Sequence, residues 1–124
     1  MSGEHWQDEP EPQDFPAAES YLSLLIGPDA AAKLAKTLRK QQTLSHYAAK
    51  DILRAASLPL LSADDSEVAA DLSKVKAGRK LSPVLLVYGI PLWVADGYHR
   101  VCASYHLDEK IQVPCRMVAR TTKD

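Results

Sequence analysis

The chain has 124 residues, 46% of them hydrophobic, and a formal net charge of −1. That length and apolar content suit one domain with a real core and exclude wholesale disorder. The longest apolar run, Pro83 to Ala95, falls far short of the ~20 residues a membrane-spanning helix needs, and the acidic start lacks the apolar centre of a signal peptide. A cytoplasmic protein without a membrane partner is therefore expected.

Charge is unevenly spread. Residues 1–16 hold five acids (Glu4, Asp8, Glu9, Glu11, Asp14) and no Lys or Arg, leaving 15 basic against 11 acidic residues in the rest. That excess of four suits an anionic ligand and lies below the basic balance usual for a nucleic-acid footprint. Three prolines among the acids predict a disordered leader over residues 1–16; the sharper alternative is an acidic segment folded back over a basic groove. Residues 17–124 then form the domain.

Residues 16–27 predict a short helix, with Pro16 near its start and Gly27 as its stop. A second, Ala-rich helix opens at Pro28, with Leu34 and Leu38 on one face. Its cations Lys33, Lys36, Arg39 and Lys40 crowd the C-terminal half, where the helix dipole favours them, and they read first as a solvated face. Thr43 to Ala48 is compatible with a short strand, and Lys50 to Ser57 with a helix ended by Leu58-Pro59. The next helix is the clearest: Asp64, Asp65 or Ser66 caps it, Val68, Leu72 and Val75 form its stripe, and Gly78 closes it. "PVLLVY" and "LWVA" predict a hairpin turned by "GIP", its continuous apolarity implying cover on both faces, as in an α/β layer. A helix follows in "GYHRVCASYHL". "IQVPCRMV" closes the domain as a strand, Pro114 arguing for an edge position or a bulge.

The chemistry concentrates in "DGYHR". Asp96, between strand and helix, is a natural N-cap. The first-turn amides of Gly97, Tyr98 and His99 then lack intrahelical partners, and glycine admits a ligand close to the backbone. Such a helix start attracts phosphate through its N–H groups and dipole, each favourable charge being worth ~0.3–1 kcal/mol. His99 and Arg100 add donors, and Arg grips phosphate oxygens in pairs. Cations here are unexpected, because the N-terminal end of a helix favours acids; something negative compensates them. The bland alternative is an ordinary capped junction. A zinc site from His99, Cys102, His106 and Cys115 fits no standard spacing, so no metal is expected, and Cys102 and Cys115 read as small buried hydrophobes rather than a disulfide framework. Asp96 is the candidate general base, although the same side chain is wanted as the cap.

Taken together, "GRKLSPVLLVYGIPLWVADGYHRVCASYHLDEKIQVPCRMV" resembles the core of the ParB/sulfiredoxin superfamily. "PVLLV" is similar to that family's first conserved strand, "DGYHRVCAS" to its Gly-x-His/Arg-Arg box, and "VPCRMV" to its closing strand. The resemblance covers roughly residues 50–119. It implies a bacterial α/β (α+β) domain with a small mixed sheet and packed helices, preceded here by a helical extension over 17–49. It also implies phosphate binding at the box, with a nucleotide such as ATP or CTP and its Mg2+. By position, Gly97 is the close-approach glycine, His99 and Arg100 are phosphate contacts with Tyr98 beside them, and Lys80 or Arg79 lines the same pocket. The chain departs from the family in two ways. Sulfiredoxins carry their catalytic Cys where this chain has Tyr98, which argues against sulfinic-acid repair. ParB proteins carry a Glu there and a helix-turn-helix domain that has no counterpart here.

The function expected is binding of a nucleotide or other phosphorylated small molecule at Asp96–Arg100. The alternatives are a small kinase or nucleotidase, or a DNA-associated module using Lys33, Lys36, Arg39 and Lys40. A homodimer is suggested by family analogy alone.

Overall fold

The computed structural model describes residues 5–120. Nine elements follow in order: α1 (Asp14–Ile26), α2 (Pro28–Lys40), β1 (Ser45–Ala48), α3 (Ala49–Ala56), α4 (Ser66–Lys76), β2 (Val84–Tyr88), β3 (Trp93–Asp96), α5 (Tyr98–Leu107) and β4 (Gln112–Ala119). They build a mixed α/β domain around one four-stranded sheet of order β1-β4-β2-β3. β1 and β3 run antiparallel to their neighbours, while β2 and β4 are parallel.

The apolar run in β2 explains the layering. Alternation along the strand sends Val84 and Leu86 into one core and Leu85 and Val87 into another, as the period of two demands. On one side α1 and α2 cover the sheet with Phe15, Ala18, Leu22, Ala31, Leu34 and Leu38. On the other, Ile52 and Leu53 of α3, Val68 of α4 and Val101 and Cys102 of α5 close over Val84, Leu86 and Val113. α2 buries Ala31, Leu34, Ala35 and Leu38, a stripe at helical spacing that leaves Lys36, Arg39 and Lys40 outside. Residues 17–49 are thus one layer of the domain and its edge strand. Among the described residues no helix is long and apolar enough to cross a membrane.

Two expectations change. The acidic segment is packed over its described part, 5–16: Trp6 is only 4% exposed, and Gln7 N–H donates to Leu81 O while Leu81 N–H donates to His5 O, both at 2.7 Å. Asp14 and Phe15 are buried as well, so the first helix starts two residues before Pro16. Burial of an indole and a phenyl ring overrides the proline- and acid-rich composition around them. Residues 1–4 lie outside the described range.

The closing strand, expected at an edge or bulged, is central. Pro114 is tolerated because its pairing with β2 begins only at Cys115 opposite Val84, so only His46 of β1 lies beside Pro114. A missing donor costs little where one flank has no partner strand.

Candidate functional site

β3 delivers the chain to α5 through Gly97, whose φ is +110°. A side chain there would be strained by that backbone and would run into Val84. The fold thus needs this glycine with or without a ligand. α5 starts at Tyr98 with no side-chain cap, which corrects the expectation that Asp96 caps it. The Asp96 carboxylate is instead occupied by Arg100, whose Nη2 donates to it at 2.9 Å and to Pro83 O at 3.3 Å. Burial raises the Asp96 pKa, Arg100 opposes that shift, and Asp14 reinforces it.

These groups border a cavity of about 310 Å³ lined by Glu67, Asp71 and Lys74 of α4 together with Asp96, Gly97, His99 and Arg100. Of the residues expected at the site, Asp96, Gly97, His99 and Arg100 are gathered there. Tyr98 and Lys80 are not in its lining. The Tyr98 hydroxyl donates to Pro59 O at 2.5 Å, tying α5 to the loop after α3. Lys80 offers its carbonyl to the Gln7 side chain at 3.3 Å.

The negative partners anticipated for the cations prove to be internal. Besides the Arg100–Asp96 pair, His99 Nε2 lies 3.3 Å from Glu67 and 3.9 Å from Asp65, and Lys74 Nζ lies 3.9 Å from Asp71. Asp65 is the residue that caps α4, accepting from the amides of Glu67 and Val68 at 3.2 Å. Asp71 is 8% exposed. Its burial raises its pKa, with Lys74 and then Arg100 pulling the other way. The sequence reading of α4 rests on its caps and apolar stripe, yet Asp71 shares the spacing of Val68, Leu72 and Val75, and an acid at such a position is a legible signal of a buried polar site.

The other chemical candidates disperse. Cys102 and Cys115 are buried in the core, and burial pushes both thiols up, Cys115 to about 12, so neither is a nucleophile near neutral pH. His106 Nε2 lies 2.7 Å from Leu61 O. Among the described residues no group of three His, Cys, Asp or Glu is placed to hold a metal ion. On α2, Arg39 packs its guanidinium over the Phe15 ring at 5.1 Å.

A second concavity, about 290 Å³, lies between α3 and the end of β2 and is walled by Tyr47, Ile52, Leu86, Tyr88 and Met117. Its ionisable side chain other than tyrosine, Asp51, lies 3.7 Å from Arg54.

Comparison with protein-family models, with curated proteins and with solved structures finds no match for this chain.

Proposed function

We propose that the cavity at the start of α5 binds the phosphate of a nucleotide, ATP or CTP, or of another phosphorylated small molecule in the cytoplasm. The observation that carries this reading is the convergence of Lys74, His99 and Arg100 with the uncapped first turn of α5 around one cavity. Free amides, a helix dipole and side-chain donors acting on the same spot are what an anion requires. The order of strand, turn, Gly-x-His-Arg box, helix and strand supports a ParB/sulfiredoxin-like arrangement for the same elements.

The internal acids set the terms of binding. A phosphate gains Lys74 and His99 only by drawing them from Asp71 and Glu67, at 3.9 and 3.3 Å. Such loose pairs are exchanged at low cost, whereas the 2.9 Å Arg100–Asp96 contact holds Arg100 in position. The Asp96 carboxylate is held by Arg100, so binding alone is proposed, with no hydrolysis or phosphotransfer.

The test is a panel of ATP, CTP and inorganic phosphate read by thermal shift and calorimetry. A ligand at ~100 times its dissociation constant raises stability by ~2.7 kcal/mol. Arg100→Ala and His99→Ala are each expected to weaken binding about tenfold or more, matching the loss of one charge-assisted contact. Absence of any shift in the wild type, or unchanged affinity in both variants, contradicts the proposal.

A further inference from the structure

The concavity beside α3 shares no lining residue with the phosphate cavity. Strand alternation builds its floor. Leu86 and Tyr88 share one face of β2, and Leu86 lies opposite Met117 of β4 in the parallel register. Tyr47 comes from β1, on the other edge of β4. α3 spans only eight residues and supplies the facing wall with Ile52 and the small Ala55. The turn after β2 is tied to that helix, because Leu92 N–H donates to Ala55 O at 2.9 Å. The cavity therefore sits at the carboxyl end of the parallel pair β2 and β4, the end at which open α/β sheets bind ligands.

Its floor and its rim differ in chemistry. Ile52, Leu86 and Met117 are buried, whereas Tyr47 and Tyr88 remain 43% and 49% exposed. Among the described residues no Lys, Arg or His lines the cavity, and Asp51 is its one carboxylate. Arg54 lies 3.7 Å from Asp51 with its side chain largely in solvent, a loose surface pair that another cation can replace. An apolar floor with one negative charge at its edge fits an apolar body carrying a positive end. Tyrosine ring faces attract the same charge.

We infer that this cavity is a second binding site, for a small organic ammonium ion. Its hydrocarbon part rests on Ile52, Leu86 and Met117, and its charge meets Asp51 beside the two tyrosines. The volume of about 290 Å³ stands at the lower end of the ~300–1,000 Å³ of small-molecule sites, which suits an amine bearing one ring or a short chain. The site stands independently of the phosphate cavity.

Calorimetry and 15N amide mapping of the full chain with three probes of similar shape check it: 2-phenylethylammonium, neutral 2-phenylethanol and anionic 3-phenylpropionate. The ammonium ion is expected to bind about three- to tenfold tighter than the alcohol, the effect of one opposite charge in a partly screened site, with the carboxylate weakest. Amides of Ile52, Ala55, Leu86 and Met117 should shift while those of Gly97 to Arg100 stay still. Asp51→Asn should bring the ammonium ion and the alcohol within about twofold of each other. Ala55→Leu, at an exposed position, should weaken all three probes by narrowing the cavity. Equal affinity of the ammonium ion and the carboxylate, a preference unchanged in Asp51→Asn, or no saturable shift at the cavity overturns the site. Shifts confined to the start of α5 overturn it as well. Each of these results leaves phosphate binding standing, because inorganic phosphate tests that site separately.

Discussion

Two arginines sit at opposite ends of helices, and their surroundings differ in kind. Arg116 of β4 lies at the C-terminal end of α2, where its Nη1 donates to Leu38 O at 3.2 Å and Arg39 O at 2.9 Å beside the Phe15 ring. Orphan carbonyls and the negative end of the dipole welcome a cation there. Arg100 lies in the first turn of α5, the positive end, and its pairing rests on Asp96 and one carbonyl. At the first site the backbone itself meets the cation, through two carbonyls at the negative end of the helix. The second places a cation where the backbone disfavours it, beside a cavity, and the proposed phosphate would relieve that imbalance.

Arg116→Ala should show the largest effect. Losing charge-assisted bonds to two helix-end carbonyls, one of them buried, is expected to cost about 2–4 kcal/mol in urea unfolding, with ligand affinity unchanged in the folded fraction. If it weakened phosphate binding as much as Arg100→Ala, the contrast between the two ends would collapse. Gly97→Ala comes next, at about 1–3 kcal/mol for a non-glycine residue in left-handed backbone, with the collision against Val84 favouring the upper end. Asp65→Ala removes the α4 cap and should cost about 1 kcal/mol by the same measurement; a neutral result would mean that the 3.2 Å cap bonds contribute nothing.

The smallest effect has the opposite sign. Burial raises the Asp71 pKa above its ordinary value of 3.8, so folding opposes the ionised form. The penalty is present above the folded-state pKa and disappears once pH falls below the ordinary value. Asp71→Asn should therefore be more stable than wild type at pH 7, by a few degrees in thermal unfolding, and equal to it near pH 3. A variant less stable at pH 7 would show that the Lys74 pair outweighs desolvation.

Much of this was legible where local rules act alone. The α2 stripe, the α4 cap and the two-faced burial of β2 follow from spacing and capping chemistry. What escaped depended on distant partners. Nothing local to Asp96 shows that Arg100, four residues on, occupies its carboxylate in place of the cap, or that Asp14, far earlier in the chain, helps raise its pKa. The acidic composition of the first sixteen residues hides the burial of Trp6 and Phe15, because two aromatic side chains outweigh several solvated acids. Pro114 suggests an edge strand or a bulge, but β4 is central, because its pairing with β2 begins one residue later, at Cys115. At the candidate site, "DGYHR" marks the start of α5, while the α4 wall of the cavity beside it, Glu67, Asp71 and Lys74, comes together only through helix packing.

The most direct test of the central claim is amide mapping of the 15N-labelled chain during titration with inorganic phosphate. The account predicts that Gly97, Tyr98, His99 and Arg100 shift first and saturate together, while Leu38, Arg39 and Arg116 stay still. Shifts centred on the end of α2, or no saturable shift at the start of α5, would contradict it.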